Sequence, residues 1–114
     1  IDLGEYWETQ TGLPIPLGGI AIKRNLALPL KKHIDQLLRL SVAYAFNQPE
    51  QSKAYIKQHA QEMDEQVMYK HIDLYVNKYS LDLGETGKKA VHTLFYMAQQ
   101  KHLIKPYDGS IILA

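Results

Sequence analysis

Hydrophobic side chains between residues 27 and 105 recur mostly at intervals of three and four positions, which is the period of amphipathic helices. Polar residues, prolines and glycines interrupt this pattern and mark where one helix ends and the next begins. The pattern predicts four helices: one over about Pro29–Phe46, one over about Pro49–His59, one from a cap at Asp64 as far as Tyr79, and one after the capping-box spacing of Asp82–Glu85.

Residues 1–26 differ from the helical region in composition, because they contain four of the seven glycines and two of the five prolines. Ile1–Leu3 could end a strand, and Asp2 is placed to cap a short helix that Gly12 would stop. The β-branched run around Ile20–Ile22 predicts a strand of about five to seven residues. In the tail, Asp108 and Gly109 form a turn signal, and Ile111–Leu113 could add a short strand or fray.

Composition narrows the classes of function. A chain of 114 residues is one domain or part of one, and its net charge of +1 gives no support to nucleic-acid binding. The absence of cysteine removes disulfides and thiolate metal sites and suits the cytoplasm. No apolar run approaches the ~20 residues that span a bilayer, so we expect no membrane association. The start at Ile1, inside a stretch that already reads as structured, indicates a truncated chain.

Histidine and tyrosine are the candidate chemistry of the helical region. No two of the five histidines have the spacing of a helical metal site, so the sequence predicts no metal site. His71 falls on the apolar face of the third helix, which favours a core-edge role over a general base. The tyrosines on three successive helices favour packing over a stacking surface for a planar ligand.

The segment Thr11–Gly19 is the strongest functional candidate, because two prolines and three glycines in nine residues give it a restricted and unusual backbone. It could be a rigid connector between two elements. It could equally be a pocket wall that offers backbone N–H groups and small apolar surface to a small-molecule ligand. The residues alone leave these two interpretations equally open.

Three blocks of the chain resemble a known enzyme family. They are Ile1–Leu26 with its PIPLGG run, Ser41–Glu50 (SVAYAFNQPE), and His71–Phe95 with the pattern YVNxYSLDLGxxG. Together they are similar to the C-terminal part of the 1,4-dihydroxy-6-naphthoate synthases, which belong to the futalosine route to menaquinone. The sister family, the chorismate dehydratases, is similar at DLGxxWxxxTGLP but has bulkier apolar residues in place of Pro16, Leu17 and Gly18.

The resemblance implies an α/β fold like that of type II periplasmic binding proteins, with two lobes around a ligand cleft. This chain would be helix-rich, with about four helices and one or two strands, as a C-terminal fragment over residues 1–114. Residues 1–26 would form the lobe crossover and pocket segment, 27–105 the helical part and 106–114 the tail.

The resemblance also implies a lyase that converts cyclic dehypoxanthinyl futalosine into 1,4-dihydroxy-6-naphthoate without a metal or organic cofactor. The general base, a histidine, would lie upstream of the matching region, so no catalytic residue is expected in this chain and the chain alone should be inactive. The expected substrate-binding residues are those of the pocket segment: Pro16, Leu17 and Gly18, followed by Gly12, Leu13 and Pro14.

Two further interpretations stand beside the synthase and its sister dehydratase. One is a solute-binding protein of the same fold that performs no chemistry, and the other is an independent four-helix module that binds another protein. If the chain is truncated, its apolar helix faces should associate with the missing N-terminal part of the same protein or with a second copy.

Overall fold

The computed structural model describes residues 1–60 and 64–113, and the regular structure of these residues is entirely helical. The helices are α1 (Leu3–Thr11), α2 (Leu28–Asn47), α3 (Pro49–His59), α4 (Glu65–Tyr75), α5 (Lys78–Leu81) and α6 (Gly84–Gln100). The last residue of the predicted tail, 114, lies outside the described residues.

Most of the predicted helix boundaries are confirmed. Pro29 lies in the first turn of α2 and Pro49 begins α3, where the missing N–H of proline costs no helical hydrogen bond. Asp64 caps α4 by accepting a hydrogen bond from the backbone N–H of Val67 at 3.0 Å.

The predicted third helix is wrong at its C-terminal end, because it is two helices. α4 ends at Tyr75, and Asn77 then accepts from the N–H of Tyr79 at 3.0 Å while Ser80 Oγ accepts from the N–H of Asn77 at 3.1 Å. This reciprocal capping box starts the short helix α5. The apolar period continues through the break, which explains why the spacing alone joined the two helices.

The expected α/β fold is also wrong, since no β-strand occurs among residues 1–60 and 64–113. Ile20–Ile22 is extended but unpaired, and Ile20 is 81% exposed. At the tail, Ser110 Oγ donates to the carbonyl of Ile112 at 2.7 Å, a local turn that excludes a strand at Ile111–Leu113. A strand needs a neighbour for its backbone N–H and C=O groups, and β-branched residues cannot supply one.

Helix α6 ends in an unusual way. His102 has a left-handed backbone with φ of 57°, and Leu103 donates its N–H to the carbonyl of Ala98 at 2.9 Å. These are the features of a Schellman motif, which normally carries glycine at the left-handed position. The tail then folds back far enough for the ring of Tyr107 to meet that of Phe95 edge-on, with centroids 5.9 Å apart.

The described residues divide into two compact units. The first contains Ile1–Gly19 together with the chain from Leu83 onward, and the second contains Ile20–Asp82. Buried hydrophobic side chains are few: Trp7, Leu13 and Ala90 in the first unit and Met68 in the second. Each unit therefore has a small core of its own.

Much of helix α2 is apolar and uncovered. Helix α2 packs against α3 and α5, and its Ile34 and Val42 are half-buried. Other apolar positions of α2 are open to solvent. Leu30, Leu37, Leu40 and Tyr44 are 46, 52, 56 and 58% exposed. No helix in the part of the chain that the structure describes is both long enough and apolar enough to cross a bilayer.

Candidate functional site: the segment that returns along α1

Helix α1 is fixed at both ends by local hydrogen bonds. Asp2 Oδ1 accepts from the N–H of Glu5 at 2.9 Å, which confirms Asp2 as the N-terminal cap. Gly12 ends the helix with φ of 65° and ψ of 17°, and its N–H donates to the carbonyl of Glu8 at 2.8 Å. The left-handed conformation favours glycine at this position, as the sequence predicts.

After Gly12 the chain turns back along α1. The indole Nε1–H of Trp7 donates to the carbonyl of Pro14 at 3.1 Å, so Pro14 lies beside the middle of the helix. A Cβ at Gly4 would lie 3.8 Å from Cγ2 of Ile15, which places Ile15 beside the first turn of α1. A Cβ at Gly4 would meet Ile15 at ordinary van der Waals distance, whereas it would crowd the capping oxygen Asp2 Oδ1, 3.2 Å away.

Thr11 joins the end of α1 to the returning segment. Its hydroxyl donates to the carbonyl of Trp7 at 2.8 Å and accepts from the N–H of Leu13 at 3.1 Å. One side chain thereby satisfies a carbonyl near the helix end and a backbone donor of the turn. Trp7 and Leu13 are 8% and 9% exposed, so this junction is the packed part of the segment.

The six predicted substrate-binding residues fall into two groups. Gly12, Leu13 and Pro14 form the turn and its anchor against Trp7, and the carbonyl of Pro14 is already occupied by the indole N–H. Pro16 is half-buried, and Leu17 and Gly18 are exposed. We call Gly12–Ile15 the anchor half of the segment and Pro16–Gly19 its open half.

Gly18 and Gly19 do not have positive φ, so neither adopts the left-handed conformation that favours glycine. Within the described ranges, no atom lies within 4 Å of the position that a Cβ would occupy at either glycine. Neither backbone strain nor internal packing therefore requires glycine here. Nor do the N–H groups of Leu17, Gly18 and Gly19 join any hydrogen bond among residues 1–60 and 64–113, so they are available to a ligand.

Histidine and tyrosine side chains of the helical region meet in aromatic pairs. His71 is exposed, with its ring centroid 4.9 Å from that of Tyr75, so the predicted core-edge position is wrong. The helical period puts it beside apolar residues, but no neighbouring element covers that part of α4 in the described chain. Among the described residues, no group of three or more histidine, aspartate or glutamate side chains is placed to hold a metal ion.

Helices α3 and α4 carry the main charge cluster. Glu65 accepts from Lys53 Nζ at 2.6 Å and lies 3.3 Å from Lys57 Nζ, while Lys53 also pairs with Glu50 at 3.5 Å. The hydrogen bond from Lys53, with help from Lys57, holds the pKa of Glu65 below its usual value. The same hydrogen bond raises the pKa of Lys53. These partly exposed groups join two helices and lie outside the returning segment.

Comparison with known proteins identifies the family. The family model described as menaquinone biosynthesis matches residues 1–100, which include all of α1 and the returning segment. The chain belongs to the menaquinone biosynthesis family.

Two curated relatives lie close to this member of the menaquinone biosynthesis family. The 1,4-dihydroxy-6-naphthoate synthase of Thermus thermophilus is 45% identical over 106 residues, 93% of this chain and 39% of that protein. The 1,4-dihydroxy-6-naphthoate synthase of Streptomyces coelicolor is 46% identical over 103 residues, 90% of this chain and 36% of that protein. The predicted resemblance is thus confirmed, and both names are those of enzymes. The chain spans less than two fifths of the length of these relatives.

Trp7 and Thr11 are absent from the six predicted substrate-binding residues, although they organise the anchor half and Thr11 begins the predicted segment. A signal for them existed in the sequence. They are four residues apart on one short helix, and helical geometry places such residues on the same face. Thr11 also directly precedes the glycine that turns the chain back toward that face.

Proposed function

We propose that this chain is part of a 1,4-dihydroxy-6-naphthoate synthase, a carbon–carbon lyase that converts cyclic dehypoxanthinyl futalosine into 1,4-dihydroxy-6-naphthoate. The observation that carries the proposal is the identity of 45–46%, over at least 90% of the chain, to two relatives of that name. The general base comes from another part of the longer protein, so the 114-residue chain alone is inactive.

In this proposal the open half of the returning segment is a wall of the substrate pocket. Leu17 is 58% exposed and supplies apolar surface, and Gly18 leaves the backbone accessible. Pro16 stiffens the path, because its ring fixes φ. The wall is joined to α1 by Gly12, Leu13 and Pro14, so these three residues contribute to substrate binding indirectly.

The wall contributes to chemistry through its backbone. Removing a proton next to a carbonyl places negative charge on the carbonyl oxygen, and N–H groups aimed at that oxygen lower the barrier. Leu17, Gly18 and Gly19 have N–H groups to offer, whereas Pro14 and Pro16 have none. The base itself must lie within hydrogen-bond reach of the proton.

The first experiment uses the longer protein that contains this chain, with the 114-residue chain assayed beside it. Each is mixed with cyclic dehypoxanthinyl futalosine, and 1,4-dihydroxy-6-naphthoate is sought by mass spectrometry. We expect product from the longer protein alone. If folded, ligand-free longer protein forms no product, the synthase is excluded. A parallel assay of chorismate dehydration then tests the sister enzyme, and ligand binding without turnover would indicate a solute-binding protein.

A substitution at Gly18 tests the pocket wall. Because a Cβ at Gly18 meets nothing among the described residues, Gly18→Val should leave the melting temperature nearly unchanged. In the longer protein the added side chain would occupy space meant for substrate, and we expect kcat/KM to fall about a hundredfold or more, as it does when reacting groups are displaced by ~1 Å.

The matched control is Ala21→Val, which adds bulk at an exposed position two residues beyond the segment. It should change neither stability nor turnover. Wild-type kinetics for Gly18→Val would remove the pocket wall from the proposal while leaving the synthase activity itself intact.

We further propose that the exposed apolar positions of α2, namely Leu30, Leu37, Leu40 and Tyr44, pack against the remainder of the longer protein. Exposed apolar patches of this kind mark interaction surfaces. The curated relatives are more than twice as long as the matched region, so the remainder of a protein of that length is large enough to cover this surface. Self-association of the 114-residue chain is the expected substitute when that partner is absent.

Light scattering of the 114-residue chain, alone and mixed with the separately expressed remainder, tests this partner. We expect oligomers from the chain alone and a one-to-one complex in the mixture. Leu37→Glu with Leu40→Glu should abolish both, whereas Leu103→Glu, at another exposed leucine, should not. A monomer at high concentration that ignores the remainder would contradict the proposal.

A further inference from the structure

We propose that Trp7 and Thr11 are positioning residues, which set the place of the pocket wall through the backbone of the anchor half. The inference rests on the proposed function and concerns groups that do not themselves touch the substrate. Two hydrogen bonds converge on Trp7. The carbonyl of Trp7 accepts from the Thr11 hydroxyl, and the indole N–H of Trp7 donates to Pro14.

These two connections hold the turn from both sides. The Thr11 hydroxyl also accepts from Leu13, so the backbone is tied to α1 immediately before and after Leu13. Gly12 between them is held by its own hydrogen bond to Glu8. A short segment with this many fixed points has little freedom to shift along the helix.

The position of Pro14 is passed on to the open half because the intervening chain is stiff. Pro14 and Pro16 have fixed φ, and each restricts the residue before it to extended geometry. An extended chain rises ~3.3 Å per residue, so Gly18 lies up to ~13 Å along the chain from Pro14. A small rotation at the anchor therefore becomes a larger displacement at Leu17 and Gly18.

Packing of the Trp7 ring does not by itself determine which group the indole N–H meets. Trp7 is 8% exposed, so its indole N–H needs a hydrogen-bond partner within the protein. That partner is the carbonyl of Pro14, in a segment whose other end has, among the described residues, unused N–H groups and open space. Burial by itself needs a large apolar ring at this position, whereas the observed geometry needs the N–H as well.

The test uses the longer protein and cyclic dehypoxanthinyl futalosine, with steady-state kinetics and thermal melting measured on the same preparations. Thr11→Val keeps the shape of the side chain but removes the hydroxyl, and Thr11→Ser keeps the hydroxyl. At Trp7, the sulfur isostere 3-benzothienylalanine keeps the ring system but removes the N–H donor. Thr9→Val applies the same change to an exposed threonine of the same helix.

We expect Thr11→Val and the Trp7 isostere to lower kcat about tenfold or more while KM changes less, because misplaced N–H groups weaken stabilisation of the transition state. Thr11→Ser should restore most of kcat, and Thr9→Val should behave as the wild type. If Thr11→Val and the isostere lower the melting temperature but leave kcat unchanged, their role is structural and the proposal is overturned.

Failure of the proposed function gives a different result. In that case the wild-type longer protein itself forms no 1,4-dihydroxy-6-naphthoate, and the positioning role falls with it. A wild type that turns over beside variants with unchanged kcat would overturn only the role of Trp7 and Thr11.

Discussion

The returning segment on α1 and the pair of helices α3 and α4 are stabilised by different kinds of interaction. Around α1, neutral side chains make the connections, and they converge on the buried Trp7. Between α3 and α4, charged side chains make them, through Lys53, Lys57 and Glu65. The first arrangement holds one backbone path, whereas the second holds two helices together through long, charged side chains that remain partly open to solvent.

The difference shows which region is built to keep a fixed geometry. A hydrogen bond from a rigid ring to a backbone carbonyl defines position and orientation and does not weaken with salt. An exposed ion pair between long side chains contributes little, and salt screens it. The candidate site lies on the first kind of support, as a site that must place backbone N–H groups requires.

The largest effect should come from Trp7→Ala. Removing this buried ring eliminates both its packing and the hydrogen bond to Pro14, and comparable truncations cost about 3–5 kcal/mol. Hydrogen–deuterium exchange should become much faster over residues 3–19, while α3 and α4 keep their rates. Equal acceleration in α3 and α4 would contradict the separation of the two regions.

An intermediate effect should come from Asp64→Ala. The carboxylate caps α4 through the N–H of Val67, and loss of such a cap costs about 1 kcal/mol. Faster exchange in the first turn of α4 would show it, and Asp64→Asn, which retains an oxygen acceptor, is the control. If Asp64→Asn destabilises α4 as much as Asp64→Ala does, the capping hydrogen bond is not the cause.

The smallest effect should come from pH and salt, and only in the α3–α4 pair. The pKa of Glu65 is lowered, so its contribution is complete above the usual carboxyl pKa and is lost as pH falls through the lowered value. The pKa of Lys53 is raised, so its contribution is complete below 10.5 and is lost as pH rises through the raised value. Exchange rates over 49–59 and 65–75 measure both limits.

Glu65→Gln should remove most of that acid dependence. At neutral pH, 1 M salt, with a Debye length of ~3 Å, should weaken the α3–α4 ion pairs in the same way as protonation of Glu65 does at low pH. Residues 11–15 should respond to salt far less, because the bonds of Trp7 and Thr11 are neutral. A salt response of equal size in both regions would remove the contrast between them.

Local signals along the chain were sufficient for most helix boundaries. Asp2, Gly12, Pro49 and Asp64 act at helix ends through their own backbone or side chain, and each does so where predicted. The break between α4 and α5 was missed because the hydrophobic period passes through it, although Asn77 and Ser80 carry a capping box of their own.

The strand predictions failed for a different reason. A helix satisfies its backbone within its own segment, but a strand is satisfied only by another part of the chain. Ile20–Ile22 has the residues of a strand and no described neighbour to pair with. The same distinction applies to His71, whose exposure depends on what packs against α4 and not on its place in the helical period.

By itself, the sequence determined the helices, the stiffness of the segment Thr11–Gly19 and, through the resemblance, the family. These properties depend on residues that are close together in the sequence, because helix capping, proline geometry and motif order follow from residue identity and spacing. Only the tertiary structure decided that Pro14 returns to Trp7, and that Gly18 faces open space while Leu13 is covered. These contacts lie across a turn. Its direction depends on the hydrogen bonds of the Thr11 hydroxyl and the Trp7 indole N–H, which form only in the folded chain.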